Sequence, residues 1–142
     1  MSSEISCIYS QGGKTRKIHI VFLAPSISIV EEVNEQLSAI GNLMSDGRPI
    51  LGISAEKLVE TILSVSEEII VIPAHIWTPW FSLYGANSGF DSLRECFGKT
   101  ASYVHTVETG LSSDPAMNWR IGELNDKQIV SFSDAHSPSK LG

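Results

Sequence analysis

Apolar and polar positions alternate in two runs near the start of the chain. Ile5 to Tyr9 and Lys17 to Leu23 favour β-structure, and in the second Ile18, Ile20 and Phe22 alternate with His19, Val21 and Leu23, the period of a strand. Gln11-Gly12-Gly13-Lys14 lies between them, and its glycines tolerate positive φ, so the pair reads as a hairpin. The period then changes. Ile29, Val33, Leu37 and Ile40 recur at helical spacing behind a Ser28–Glu31 capping box, which predicts a first helix. A second helix is predicted to start at Ser54, with Ile53 and Leu58 as a hydrophobic staple and Leu58, Val59, Ile62 and Leu63 as its apolar face. Ile69-Ile70-Val71-Ile72 is continuous and β-branched, as a strand buried on both faces of a parallel sheet would be.

Beyond that strand the chain predicts a long aromatic loop from Ile76 to Gly89 and a short helix from Ser92 to Phe97, stopped by Gly98. A strand from Tyr103 to Glu108, a helix capped by Asp114 with Pro115 in its first turn, and a last strand from Ile129 to Phe132 follow. Strands alternating with helices predict an α/β architecture, either a barrel or an open wound sheet. No repeat or linker divides the 142 residues, so 1–142 reads as a single unit. Both ends fall inside the patterned region, which predicts a fragment. The open sheet edges of a fragment invite self-association into a homo-oligomer.

Charge and cysteine usage narrow the chemistry. A net charge of −6 argues against gripping nucleic acid through bulk electrostatics, although a multinuclear metal site needs carboxylates and its cations reverse the local field. Cys7 and Cys96, far apart and outside any C-x-x-C pair, read as buried thiols in a reducing compartment. The opening residues carry no basic-then-apolar leader, and the longest apolar run, Ile69 to Ala74, is too short to cross a bilayer. A cytoplasmic protein with no membrane contact is the expectation.

In parallel α/β folds, functional groups gather at the carboxyl ends of strands. His75, Glu108, Asp134 and His136 each follow or close a predicted strand, so three strands deliver imidazole or carboxylate groups to one rim. Asp134 and His136 are two residues apart, and in extended backbone both would face one metal cluster. Such mixed ligation suits zinc, manganese or iron and accepts magnesium poorly. Taken alone, His19 and His75 read as loop or core histidines, and His105 as structural. Glu108 reads either as a group that orients a ligand histidine or as a plain salt-bridge partner. Gly13-Lys14-Thr15 imitates the end of a phosphate-binding loop, but Ile8 stands where its first glycine belongs, so nucleotide binding there is rejected. The aromatic loop reads first as a lid packing its own cluster. Alternatively Trp77 and Trp80 form a platform for an exposed base, with Arg48, Arg120 and Lys140 as candidate phosphate contacts.

Longer runs carry a more specific likeness. They are Glu4-Ile5-Ser6-Cys7-Ile8-Tyr9, Ser45-Asp46-Gly47-Arg48-Pro49, Pro73-Ala74-His75-Ile76-Trp77-Thr78-Pro79-Trp80-Phe81, Gly89-Phe90-Asp91-Ser92, Glu108 to Pro115, and Ser133-Asp134-Ala135-His136-Ser137-Pro138. On these runs the chain resembles the polymerase-and-histidinol-phosphatase (PHP) superfamily of metal-dependent phosphoesterases, and within it the endonuclease Q-type proteins. The resemblance implies part of a distorted (βα)7 barrel, incomplete here, with a bi- or trinuclear metal centre. It assigns Glu4 to the bridging glutamate, His19 and His75 to the mid-chain histidines, and Asp134 with His136 to the closing D-x-H. It also implies a DNA endonuclease that cuts 5′ to deaminated bases or abasic sites. The superfamily's H-x-H motif, which should precede Glu4, has no counterpart, so the isolated chain is expected to bind metal weakly and to be inactive. A small-molecule phosphatase and a non-catalytic truncated domain are the alternatives.

Overall fold

The computed structural model describes residues 1–44 and 48–141. Ser45, Asp46 and Gly47, part of one of the motifs above, lie outside the described residues, as does Gly142.

Strands β1 (Ser2–Gln11) and β2 (Lys14–Leu23) form the expected hairpin, longer than its hydrophobic runs. Its two-residue turn needs positive φ at both central positions, and Gly12 and Gly13 adopt φ 62° and 72°. Helix α1 (Ile27–Ser38) follows, then the two-residue strand β3 (Ile50–Leu51), helix α2 (Ala55–Val65) and strand β4 (Ile70–Pro73). These strands make one sheet in the order β3-β1-β2-β4. Helix α3 (Leu93–Phe97), strand β5 (Thr106–Glu108), helix α4 (Pro115–Asn118) and strand β6 (Gln128–Val130) complete the chain, with β5 and β6 in a separate parallel pair.

The period of two sorts the hairpin into two faces. Ile5, Cys7, Ile18, Ile20 and Phe22 are buried in one core with Val33 and Leu37 of α1 and Leu58, Val59 and Ile62 of α2. Glu4, Ser6, Lys17 and His19 point to the opposite face, which carries the chemistry. Cys7 and Cys96 are both unpaired and buried, and burial pushes the Cys7 thiol up to about 12 and Cys96 well above its ordinary value. Arg16 is the buried exception to the apolar rule. Its guanidinium donates to the carbonyls of Gln11 and Gly89, pairs with Glu95 at 3.2 Å, and lies 4.2 Å from the Phe90 ring centroid. It thereby fastens the end of the aromatic loop to the hairpin.

Several expectations need correction. Helix α1 is capped by Ser26, whose hydroxyl accepts the Ile29 amide at 3.3 Å, and Ser28 is already inside the first turn. Ile40 falls beyond the helix and is exposed. Val71 and Ile72 are buried as the continuous run implied, but β4 pairs antiparallel with β2, and Ile70 is half exposed. Hydrophobicity reports burial and carries no information about strand direction. The run from Tyr103 is cut short, because residues Gly98–Tyr103 wind into a 3-10 helix and only Thr106–Glu108 pair. Ser54 and Asp114 cap α2 and α4 as read. The architecture is mixed α/β, and the described residues close no barrel. No described helix is long and apolar enough to cross a membrane.

Candidate metal centre

In the hairpin register Ser6 faces His19 and Glu4 faces Val21, so Glu4 and His19 are diagonal neighbours on the polar face. β4 lies beside β2, and His75 follows its last residue by two, placing a second imidazole over the same spot. Glu4 Oε1 and His19 Nδ1 are 3.1 Å apart, His19 Nδ1 and His75 Nε2 also 3.1 Å, and Glu4 Oε1 and His75 Nε2 3.9 Å. Ligands bound at about 2.0–2.2 Å in tetrahedral geometry sit roughly 3.4 Å from one another, so one ion fits among these three atoms. Among the described residues this is the one group of three such donors that converges, and it could hold a metal ion.

The backbone around His75 explains its aim. His75 adopts φ 30°, uncommon for a residue with a side chain. Buried Glu108 holds it there, accepting the His75 amide on Oε2 at 2.5 Å and the Gly110 and Phe132 amides on Oε1 at 2.8 and 3.0 Å. Glu108 therefore neither touches the imidazole nor forms an ion pair among the described residues; it organises three backbone segments around it. His75 Nδ1 meets the Thr78 hydroxyl at 3.0 Å, which leaves Nε2 directed at Glu4 and His19. Gly110 packs so closely that a Cβ there would lie 2.5 Å from His75 Cβ.

Electrostatics favour the forms that bind metal. Burial lowers the His19 pKa and the nearby Arg48 charge lowers it further, outweighing the Glu4 hydrogen bond, which favours the neutral ring. For Glu4, burial opposes the charge, but the His19 hydrogen bond and the Arg48 guanidinium prevail and hold the carboxyl below its ordinary value. Arg48, a candidate phosphate contact, reaches into the group: its Nη1 is 2.9 Å from Glu4 Oε1 and 2.6 Å from His19 Nδ1. A guanidinium keeps its charge at any ordinary pH, so it competes with a metal for two of the three donors. Arg48→Met should therefore raise zinc affinity by about 10-fold or more, measured by competition with a chromophoric chelator. Weaker binding in the variant would mean that Arg48 supports the site.

The other expected residues fall elsewhere. Asp134 and His136 lie in an exposed tail outside the Glu4–His19–His75 group, and His136 Nδ1 bonds the Asp134 carbonyl oxygen at 2.7 Å. The same-side argument required extended backbone, whereas β6 ends at Val130 and Asp134 adopts φ 48°. The tail nonetheless starts at the site, because its Phe132 amide is one of those held by Glu108. Trp77 is half-buried: its indole donates to Asn118 at 2.8 Å, and its ring centroid lies 4.8 Å from that of Tyr84. Trp80 is 49% exposed, and Arg120 and Lys140 are exposed outside the donor group. Phe81, which the sequence did not mark as part of the site, lies with its ring 4.5 Å from that of His19. Its positive φ of 60° leaves no signal in the sequence.

Two solved structures share this arrangement of elements across 95% of the chain. One is a lesion-specific endonuclease from Pyrococcus furiosus, matched with a TM-score of 0.78 and 32% identity. The fold is endonuclease Q-like. The other is endonuclease Q in complex with a 27-mer duplex substrate bearing an abasic lesion at the active site, matched with a TM-score of 0.79 and 32% identity. In each case the match spans 31% of the solved chain. Among curated proteins the chain is 33% identical to the uncharacterized protein YqxK of Bacillus subtilis over 131 residues, 88% of this chain and 31% of that protein. It is 46% identical to the uncharacterized protein MJ0043 of Methanocaldococcus jannaschii over 68 residues, 46% of this chain and 8% of that protein. The chain thus spans about a third or less of the relatives it matches. No family model matches it.

Proposed function

We propose that this chain is the metal-holding segment of a DNA endonuclease of the PHP type, acting at deaminated bases or abasic sites and cutting on their 5′ side. The observation that carries the reading is the convergence of Glu4 Oε1, His19 Nδ1 and His75 Nε2 from three adjacent strands onto one point. Two imidazoles and a carboxylate suit zinc, manganese or iron better than magnesium. When bound, such an ion polarises a phosphoryl oxygen and lowers the pKa of water. The chain's own part is positional. Glu108 and Thr78 fix His75, Phe81 covers one side of His19, and Arg48 supplies a positive charge beside the donors that a phosphodiester would also attract. Asp134 and His136 complete the donor set in this reading once the tail that Glu108 anchors turns inward.

Three donors with an arginine among them make a weak site, so the isolated chain is proposed to bind metal poorly and to leave DNA uncut. The reading is tested by elemental analysis of the chain purified without chelators, beside Asp134→Ala. The expected result is sub-stoichiometric zinc, manganese or iron that falls further in the variant. Unchanged metal content in Asp134→Ala would remove that residue from the centre. Lesion-dependent cleavage by the isolated chain would contradict its proposed dependence on further donors.

A further inference from the structure

Lys17 stands two residues before His19 on β2, so both side chains leave the sheet on the same face, about 6.7 Å apart along the strand. Its ammonium lies 4.9 Å from the Trp80 ring centroid and 5.3 Å from that of Phe81. Phe81 in turn packs against the His19 ring, so a ridge runs from Trp80 through Lys17 and Phe81 to the donor group. Backbone bonds fix it. The Lys17 amide donates to Ser88 O at 3.2 Å, the Ser88 hydroxyl donates to Lys17 O at 3.2 Å, and the Phe81 amide donates to Ser88 Oγ at 3.0 Å. The His19 amide donates to Phe81 O at 3.0 Å, so ridge and metal ligand share one frame. Phe81 holds a positive φ that a bulky aromatic rarely adopts. Among the described residues no carboxylate forms an ion pair with Lys17, and half of the Trp80 surface is open.

A cation with no anionic partner among the described residues, held over two rings one side chain away from the donors, is more than a lone phosphate ester would require. We infer that the ridge binds single-stranded DNA. Lys17 takes the backbone phosphate next to the one addressed at Glu4, His19 and His75, and the open part of the Trp80 indole stacks on the adjoining base. The inference rests on the nuclease reading above. In a chain of net charge −6 the phosphate contacts must be few and local, so losing one is a measurable part of the whole.

The test is fluorescence anisotropy of the full chain with a short fluorescein-labelled single-stranded oligodeoxynucleotide, across a salt series. Lys17→Gln should weaken binding and reduce the salt slope by roughly 0.7, the value for one phosphate on a single strand. Lys17→Arg should restore the slope. Trp80→Ala should weaken binding roughly 5- to 100-fold and leave the slope alone, as loss of stacking does. Zinc affinity and melting temperature should be the same in all of these proteins. A Lys17→Gln slope equal to that of the unsubstituted chain overturns the assignment. So does an unsubstituted chain that fails to bind the strand, and in that case the metal reading still stands or falls on elemental analysis.

Discussion

Glu4→Gln is expected to lose zinc affinity by at least about 100-fold while the protein stays folded. Removing groups that merely orient a ligand costs 10- to 100-fold, and a ligand itself should cost no less. The substitution keeps the shape of the side chain and removes the charge, leaving a neutral amide oxygen that binds zinc poorly. Glu4 is partly exposed, its side chain at 28%, and its contacts to Arg48 and His19 lie at the surface of the polar face, not in the core. Melting should therefore shift by only a few degrees. Isothermal titration with zinc, run beside a thermal melt, separates the two roles. Affinity within a factor of about three of the unsubstituted chain would show that the three donors meet without serving as a metal site.

Glu108→Ala should act in the opposite proportion. Its carboxylate is 2% exposed and accepts the amides of His75, Gly110 and Phe132, which no other described group satisfies. Each buried polar group left unpaired costs about 1–3 kcal/mol. Water entering the gap recovers part of that, so the expected loss is about 3 kcal/mol, or roughly 10 °C in melting temperature for a domain of this size. The unusual backbone at His75 would relax when its amide is released, and zinc affinity should fall with it. Chemical denaturation checks the first effect and zinc titration of the folded variant the second. A variant that melts normally would contradict the organising role assigned to Glu108.

What could be read beforehand divides along physical lines. The hairpin, the Ser54 and Asp114 caps and the aromatic loop were legible, because each depends on local spacing or on glycine conformation. The antiparallel docking of β4 was not, since a buried β-branched run serves either direction. At the site, the strand-end rule correctly brought His75, Glu108 and the start of the tail together. It pointed to Asp134 and His136, which this structure leaves outside the group of three donors that converges. Spacing favoured Asp134 and His136, whereas the donors that converge are Glu4, His19 and His75, separated by 15 and 56 positions along the chain and joined only by sheet register. Taken singly, each histidine looked structural, and family resemblance, not pattern, had linked the three.

The two cysteines give the chain an internal gauge of its own opening. Cys7 on β1 and Cys96 on α3 lie in the same core, each with its thiol buried and its pKa raised. Only a thiolate reacts with an aromatic disulfide reagent, so modification must wait for the core to part. The rate of labelling at neutral pH then measures how often the sheet and its helices separate, in the native protein and without denaturant. Any ligand that ties β1, β2 and β4 together should slow that clock, whether or not a strand of DNA is ever cut.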